Sequence, residues 1–264
     1  MSQPVNDFTD GAIYENYMGR WSKLVGRQFL TWLDAPPQSK WIDVGCGNGA
    51  FTDEILAISK PASVTGIDPS EGQIQFARQR HRSAQAEYRV GDAQELPFAN
   101  NSFDIATMAL VIAFVPAPAK GVAELTRVTR PGGLVATYMW DLPTGIPGSP
   151  LIEAMSDMGV PRSLPPSADF SQMEPMRKLW IDAGLQSVES KQIRITVSFS
   201  NFDEFKQWSM MPSGPLSKSI LSLSAAARDE LYSRLSKTLP IAADGSITYE
   251  SLANAVKGKV PPKV

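Results

Sequence analysis

The sequence is poor in reactive and cross-linking side chains. It has one cysteine, Cys46, and one histidine, His81. A single thiol excludes an internal disulfide and fits a reducing compartment. It also excludes chemistry that needs several thiols, such as arsenic methylation. No metal site is expected. His81 stands among Arg78, Arg80 and Arg82, and such a cluster reads as the solvated C-terminal end of a helix. There is no excess of positive charge: the net charge is -2 and the isoelectric point about 5.6, which argues against nucleic acid or an anionic membrane as partner. No apolar run is long enough to cross a bilayer, and Met1 to Asp10 lacks the basic-then-apolar pattern of a secretion signal. The expectation is a cytoplasmic protein, monomer or homodimer. The apolar fraction of 43% is ample for a core.

What the sequence does have is a short apolar run that ends in alternate glycines, Trp41-Ile42-Asp43-Val44-Gly45-Cys46-Gly47-Asn48-Gly49. Trp41 to Val44 reads as a buried parallel strand. The glycines form a tight turn that lets backbone approach a bound molecule. A helix follows from about Ala50, its free N–H groups aimed at the turn. The arrangement suits a nucleotide-type cofactor. The spacing is G-x-G-x-G, not the G-x-G-x-x-G of a pyrophosphate loop. A structural strand-turn-helix without a ligand is the plainer alternative.

The same alternation then repeats. Ser63 to Asp68 is a second β-rich run ending on an acid. Asp68 lies at the separation from the turn at which a carboxylate reaches ribose hydroxyls, two of which it can accept at once. Asp68-Pro69-Ser70 also reads as a helix start, with Ser70 and Gln73 forming a capping box; the two readings are compatible. Glu87 to Val90, Phe103 to Leu110 and Leu134 to Trp140 supply further strands, separated by helical patterns. Repeated βαβ units predict a doubly wound, mostly parallel α/β sheet with its ligand crevice at the strand C-termini. Gly45, Asp68, Asp92 and the Met108–Leu110 end all fall on that edge.

From Trp41 to Trp140 the chain resembles the class I S-adenosylmethionine-dependent methyltransferases of the ubiquinone/menaquinone-biosynthesis-like group. The matching pieces are the Asp43–Gly49 turn, Gly66-Ile67-Asp68-Pro69-Ser70, Gly91 to Phe98, Ser102-Phe103-Asp104 and Leu125 to Gly133. The resemblance implies a Rossmann-like seven-stranded sheet with an antiparallel last strand and S-adenosyl-L-methionine as cofactor. It implies that Asp43 and Gly45, Cys46, Gly47 and Gly49 flank the amino acid part of the cofactor. Asp68 would bind the ribose, with Pro69 and Ser70 lining the adenine or ribose. Asp92 would accept from the adenine amino group and Ala93 would offer a backbone N–H. Met108, Ala109 and Leu110 would lie near the methionine part and the methyl group. Tyr14 and Arg20, in the segment before the first strand, would close over the carboxylate, a good partner for guanidinium.

One departure matters. Many relatives carry histidines after the fourth strand, and here that place reads Val111-Ile112-Ala113-Phe114-Val115. No catalytic residue is therefore assigned. Methyl transfer from a sulfonium needs mainly in-line alignment, and a base only if the acceptor must lose a proton; Tyr138, Asp141 and Glu153 are the available candidates. The expected organisation is an N-terminal helical cap over 1–37 and a methyltransferase domain over 38–264. Helical insertions near 142–168 and 201–245 would form a lid. Their Met155, Met158, Phe205, Trp208, Met210 and Met211 suit either an apolar acceptor pocket or ordinary packing of lid helices. The last strands are expected at 185–200 and 247–256, as an antiparallel hairpin. The functional expectation is methylation of a small, partly apolar acceptor. A nicotinamide-dependent oxidoreductase and a non-catalytic nucleoside-binding protein are the alternatives.

Overall fold

The computed structural model describes residues 15–80, 83–212 and 214–262. A seven-stranded sheet runs in the order β3-β2-β1-β4-β5-β7-β6. Its strands are β1 Lys40–Val44, β2 Ser63–Asp68, β3 Ala86–Val90, β4 Phe103–Ala109, β5 Thr129–Trp140, β6 Gln186–Phe199 and β7 Ile247–Lys259. β1 to β5 pair in parallel, whereas β7 is antiparallel to both β5 and β6. The strand order reverses between β1 and β4, and there the first crevice for a ligand opens at the carboxyl edge.

Helices cover both faces. On one, α1 (Arg20–Leu33) packs against α2 (Ala50–Ser59) and β6, and α3 (Glu71–Arg80) covers β2 and β3. α1 buries Trp21, Val25, Phe29, Leu30 and Leu33, a stripe at helical spacing. Glu54 of α2, almost buried, ties the two helices by accepting from Arg27 at 2.7 Å and pairing with Lys23 at 3.2 Å. On the other face, α4 (Pro118–Val128) and α6 (Met173–Asp182) pack together; the Trp180 indole N–H donates to Val135 O at 2.9 Å and fixes α6 to the sheet.

The remaining helices leave from the carboxyl edge. α5 (Ser149–Asp157) follows β5. α7 (Phe202–Ser209), α8 (Gly214–Ser222) and α9 (Ala225–Thr238) join the end of β6 to the start of β7, and α9 packs on α5. β6 and β7 outrun β5: Trp140 pairs with Ala253, yet the hairpin continues to Phe199 opposite Ile247. In two places the local pattern is misleading. Phe170 to Gly184 reads as one helix, but the extended backbone of Gln172 separates a short 3-10 turn at Ala168–Ser171 from α6. Pro212 to Pro215 reads as a break, but α8 begins within it. Among the described residues no helix is long and apolar enough to cross a membrane.

Candidate functional site

The turn after β1 is held shut by β2. The Gly45 and Cys46 N–H groups both donate to Ile67 O, at 2.7 and 3.0 Å. Gly45, Gly47 and Gly49 have φ of 76°, 51° and 82°, left-handed values that side chains resist. Their surroundings differ. A Cβ on Gly45 would lie 2.4 Å from the Val111 side chain, and one on Gly49 2.9 Å from the Tyr88 hydroxyl. A Cβ on Gly47 would meet nothing within 4 Å. Gly45 and Gly49 are thus glycine for packing, whereas Gly47 faces open space at the mouth of the crevice.

Two acids flank this loop. Asp68 is buried; it accepts from Gly47 N at 3.0 Å and from Ser70 N at 2.9 Å. Burial raises its pKa, and the two N–H groups restrain the rise. Asp43 is fully buried; it accepts from the Thr52 hydroxyl at 2.7 Å, and its Oδ1 has no hydrogen-bond partner among the described residues. Burial pushes its carboxyl up to about 7, against the Thr52 hydrogen bond and with the help of the negative Asp68. Neither acid is ion-paired with a lysine or arginine among the described residues. Between them, burial and then the charges of Asp43 and Asp68 hold the Cys46 thiol well above its ordinary range, so Cys46 is no nucleophile. Two buried carboxylates beside an open glycine backbone favour a cation and oppose a pyrophosphate.

Asp92 is brought to the same edge. Val90 pairs with Asp68, and the Gly91 N–H donates to Asp68 O at 3.1 Å. Asp92 is exposed and accepts from the Gln94 N–H at 2.8 Å. The Gln94 amide also reaches both Asp92 oxygens at 3.3 Å while accepting from Ala117 N at 3.1 Å. Ala93 and Ser70 are half-buried nearby and Pro69 is exposed. Ser70 caps α3, accepting from Gln73 N at 3.4 Å.

At the end of β4 the three expected residues diverge. Met108 is fully buried, with its methyl group near Gly121 of α4, so its side chain belongs to the core. Ala109 and Leu110 remain at the edge. Leu110 has a left-handed backbone, φ 60°, and its N–H donates to Tyr138 O at 2.8 Å. A leucine in that conformation is strained, and the following Val111 is what closes over Gly45.

Arg20 is held elsewhere. Its guanidinium pairs with Glu204 at 3.0 Å and lies over Trp21 and Phe199, at 4.3 and 5.0 Å from the ring centres. Tyr14 and His81 lie outside the described residues. Two of the three candidate bases are otherwise engaged. Tyr138 is buried between Phe29 and Phe51. Asp141 holds a corner, accepting from Thr144 at 3.2 Å and from the Asn254 amide at 3.0 Å. Glu153 is exposed on α5. Trp208 and Phe205 are packed, not pocket-lining: Trp208 is 2% exposed, stacks on Tyr17 at 5.2 Å and donates to Tyr17 O at 2.7 Å. The contacts of Thr52 with Asp43, of Gln94 with Asp92 and of Val111 with Gly45 are not marked by any local spacing in the sequence.

Comparison with known proteins agrees with this geometry. Residues 42–137 match the model of a methyltransferase domain family. A biotin biosynthesis bifunctional protein BioHC of Cellvibrio japonicus is 37% identical over 46% of this chain and 24% of its own length. A demethylmenaquinone methyltransferase of Desulfitobacterium hafniense is 36% identical over 44% of this chain and 47% of its own. The chain thus spans half or less of the length of these two relatives. Among solved structures, a chain of the complex between the Haloferax volcanii Trm112 methyltransferase activator and a methyltransferase superposes with a TM-score of 0.62 at 17% identity, covering 98% of this chain and 99% of that one. That likeness speaks for the fold alone. The glycine turn, Asp43, Asp68 and Asp92 thus all fall within the residues, 42–137, that match a methyltransferase domain.

Proposed function

We propose that the protein transfers the methyl group of S-adenosylmethionine to a small, partly apolar acceptor. The observation that carries this reading is the pair of buried, cation-free acids, Asp43 and Asp68, beside the open backbone at Gly47. The cofactor is cationic at its sulfonium and its ammonium. The Gly45–Gly49 backbone and Asp43 would hold its amino acid part, Asp68 its ribose and Asp92 its adenine amino group. When bound, the cofactor supplies an electrophilic methyl group.

The residues of the chain then align and enclose. The post-β4 segment Val111–Val115 has no titratable side chain, Tyr138 and Asp141 have structural roles, and Glu153 is exposed on α5. Catalysis therefore rests on in-line placement of the acceptor and exclusion of water. Residues 1–37 would act as a cap and the insertions near 142–168 and 201–245 as a lid. Met158, Met210 and Met211, all half-buried, give the lid a deformable apolar lining. One relative is named for biotin biosynthesis and the other for demethylmenaquinone, so the names do not converge on one acceptor.

Calorimetry with S-adenosylhomocysteine and NADH tests the reading. The expected result is saturable binding of S-adenosylhomocysteine alone, weakened at least about tenfold in Asp68→Ala. Binding of NADH, or undiminished affinity in the variant, would overturn it.

A further inference from the structure

Two polar atoms beside the carboxyl edge are left unpaired by everything packed around them. Trp140, the last residue of β5, is 3% exposed, and its indole N–H has no acceptor among the described residues. Ser251 of β7 is fully buried, and its hydroxyl is likewise unpaired. Buried polar groups are nearly always hydrogen-bonded, and each left bare costs about 1–3 kcal/mol. Phenylalanine and alanine would have filled the same places without that cost.

The sheet brings the two together. Trp140 pairs with Ala253 across the antiparallel β5–β7 ladder. Ser251, two residues on, projects from the same face as Trp140 and is its diagonal neighbour, within reach of a large side chain. That face is the one covered by α1: Tyr138 meets Phe29 on it, and Lys257 donates to Trp32 O. The end of β5 also lies beside the end of β4, where Leu110 N–H donates to Tyr138 O. Asn254 Oδ1 is buried and unpaired too, but it stands opposite Met139 on the other face, and its amide nitrogen is committed to Asp141 and Ser171.

We propose that Trp140 Nε1 and Ser251 Oγ form the polar end of the methyl-acceptor site and together hold one oxygen of the acceptor. This deepens the methyltransferase reading and rests on it. An indole N–H only donates, so the group it meets is a lone-pair donor: a hydroxyl or carbonyl oxygen on an otherwise apolar molecule. The serine hydroxyl donates to a carbonyl or accepts from a hydroxyl. Both act by positioning, fixing the acceptor's angle toward the incoming methyl group.

The test is a titration of the S-adenosylhomocysteine complex with 1-naphthol and with naphthalene, which differ by one hydroxyl. Calorimetry would follow the wild type, Trp140→Phe, Ser251→Ala and the double variant, and the indole 15N–1H resonance of Trp140 would follow the wild type. The wild type should prefer 1-naphthol about tenfold, and the double variant should show no preference. Cofactor-product affinity should stay within about twofold throughout. The Trp140 resonance should move with 1-naphthol and stay with naphthalene; that readout stands even if a variant misfolds. Absence of 1-naphthol binding, an unmoved resonance, or a preference surviving in the double variant would overturn the proposal. Failure of the wild type to bind S-adenosylhomocysteine would instead defeat the cofactor reading beneath it.

Discussion

Replacing Asp43 by asparagine should make the empty protein more stable and the cofactor bind less well. In the folded chain burial raises the Asp43 carboxyl from 3.8 to about 7. Between those values the folded state keeps a proton that the unfolded state has lost, so stability falls as pH rises across that window. Above it, the whole penalty of holding a buried charge remains. A shift of about 3 pKa units at 1.36 kcal/mol each corresponds to about 4 kcal/mol. Asparagine has no charge to bury, nearly the same shape, and still meets the Thr52 hydroxyl that bonds Asp43 at 2.7 Å. At about pH 8 the variant should therefore exceed the wild type by up to about 4 kcal/mol, or about 10 °C in Tm for a chain of this size. At about pH 4 the difference should shrink below about 1 kcal/mol. Saturating S-adenosylmethionine should raise the wild-type Tm more than that of the variant, because the variant has lost one of the two buried acids, Asp43 and Asp68, that the cofactor's positive charge would offset. The assay is thermal unfolding across pH with and without cofactor. A Tm difference of equal size at both pH values, or a variant less stable than the wild type at the higher pH, would refute the electrostatic account.

The other predictions concern the glycine turn and the aromatic cluster. Gly45→Ala should cost about 3 kcal/mol or more in chemical denaturation, since its Cβ meets Val111 at 2.4 Å with φ at 76°. Gly47→Ala, with nothing within 4 Å, should cost only about 1–2 kcal/mol yet weaken S-adenosylhomocysteine at least about tenfold by calorimetry; equal effects of the two changes on folding would refute the distinction. Trp208→Ala should lower stability by about 3–5 kcal/mol and not act selectively on acceptor KM, because the indole is 2% exposed among rings; a folded, stable variant with only KM changed would restore the pocket reading.

The parts legible in the sequence are those whose cause is local. The three glycines, the acids near the ends of β1 and β2, the Ser70 cap and the period of each strand all express backbone chirality or side-chain alternation over a few residues. The shared carboxyl edge follows, because right-handed crossovers bring the ends of parallel strands to one side of the sheet. What local pattern leaves open is decided by pairs distant in sequence. Arg20 is drawn away by Glu204, and Trp208 is claimed by Tyr17, at separations of 184 and 191 residues. Methionine and aromatic side chains look the same in sequence whether they line a pocket or fill a core. The roles of Thr52 and Val111 appear only when α2 and the post-β4 segment fold over the turn. α8 escaped notice because Pro215 reads as a break, whereas proline is well tolerated in a helix's opening turn.

Trp208 clasps Tyr17 through both its ring face and its indole N–H. Trimming the chain back to α1 for convenience of production would strand that N–H and bare one flank of the stack shared with Trp21 and Phe199. Greasy surface of this kind invites self-association, so a shortened version should begin upstream of Tyr17.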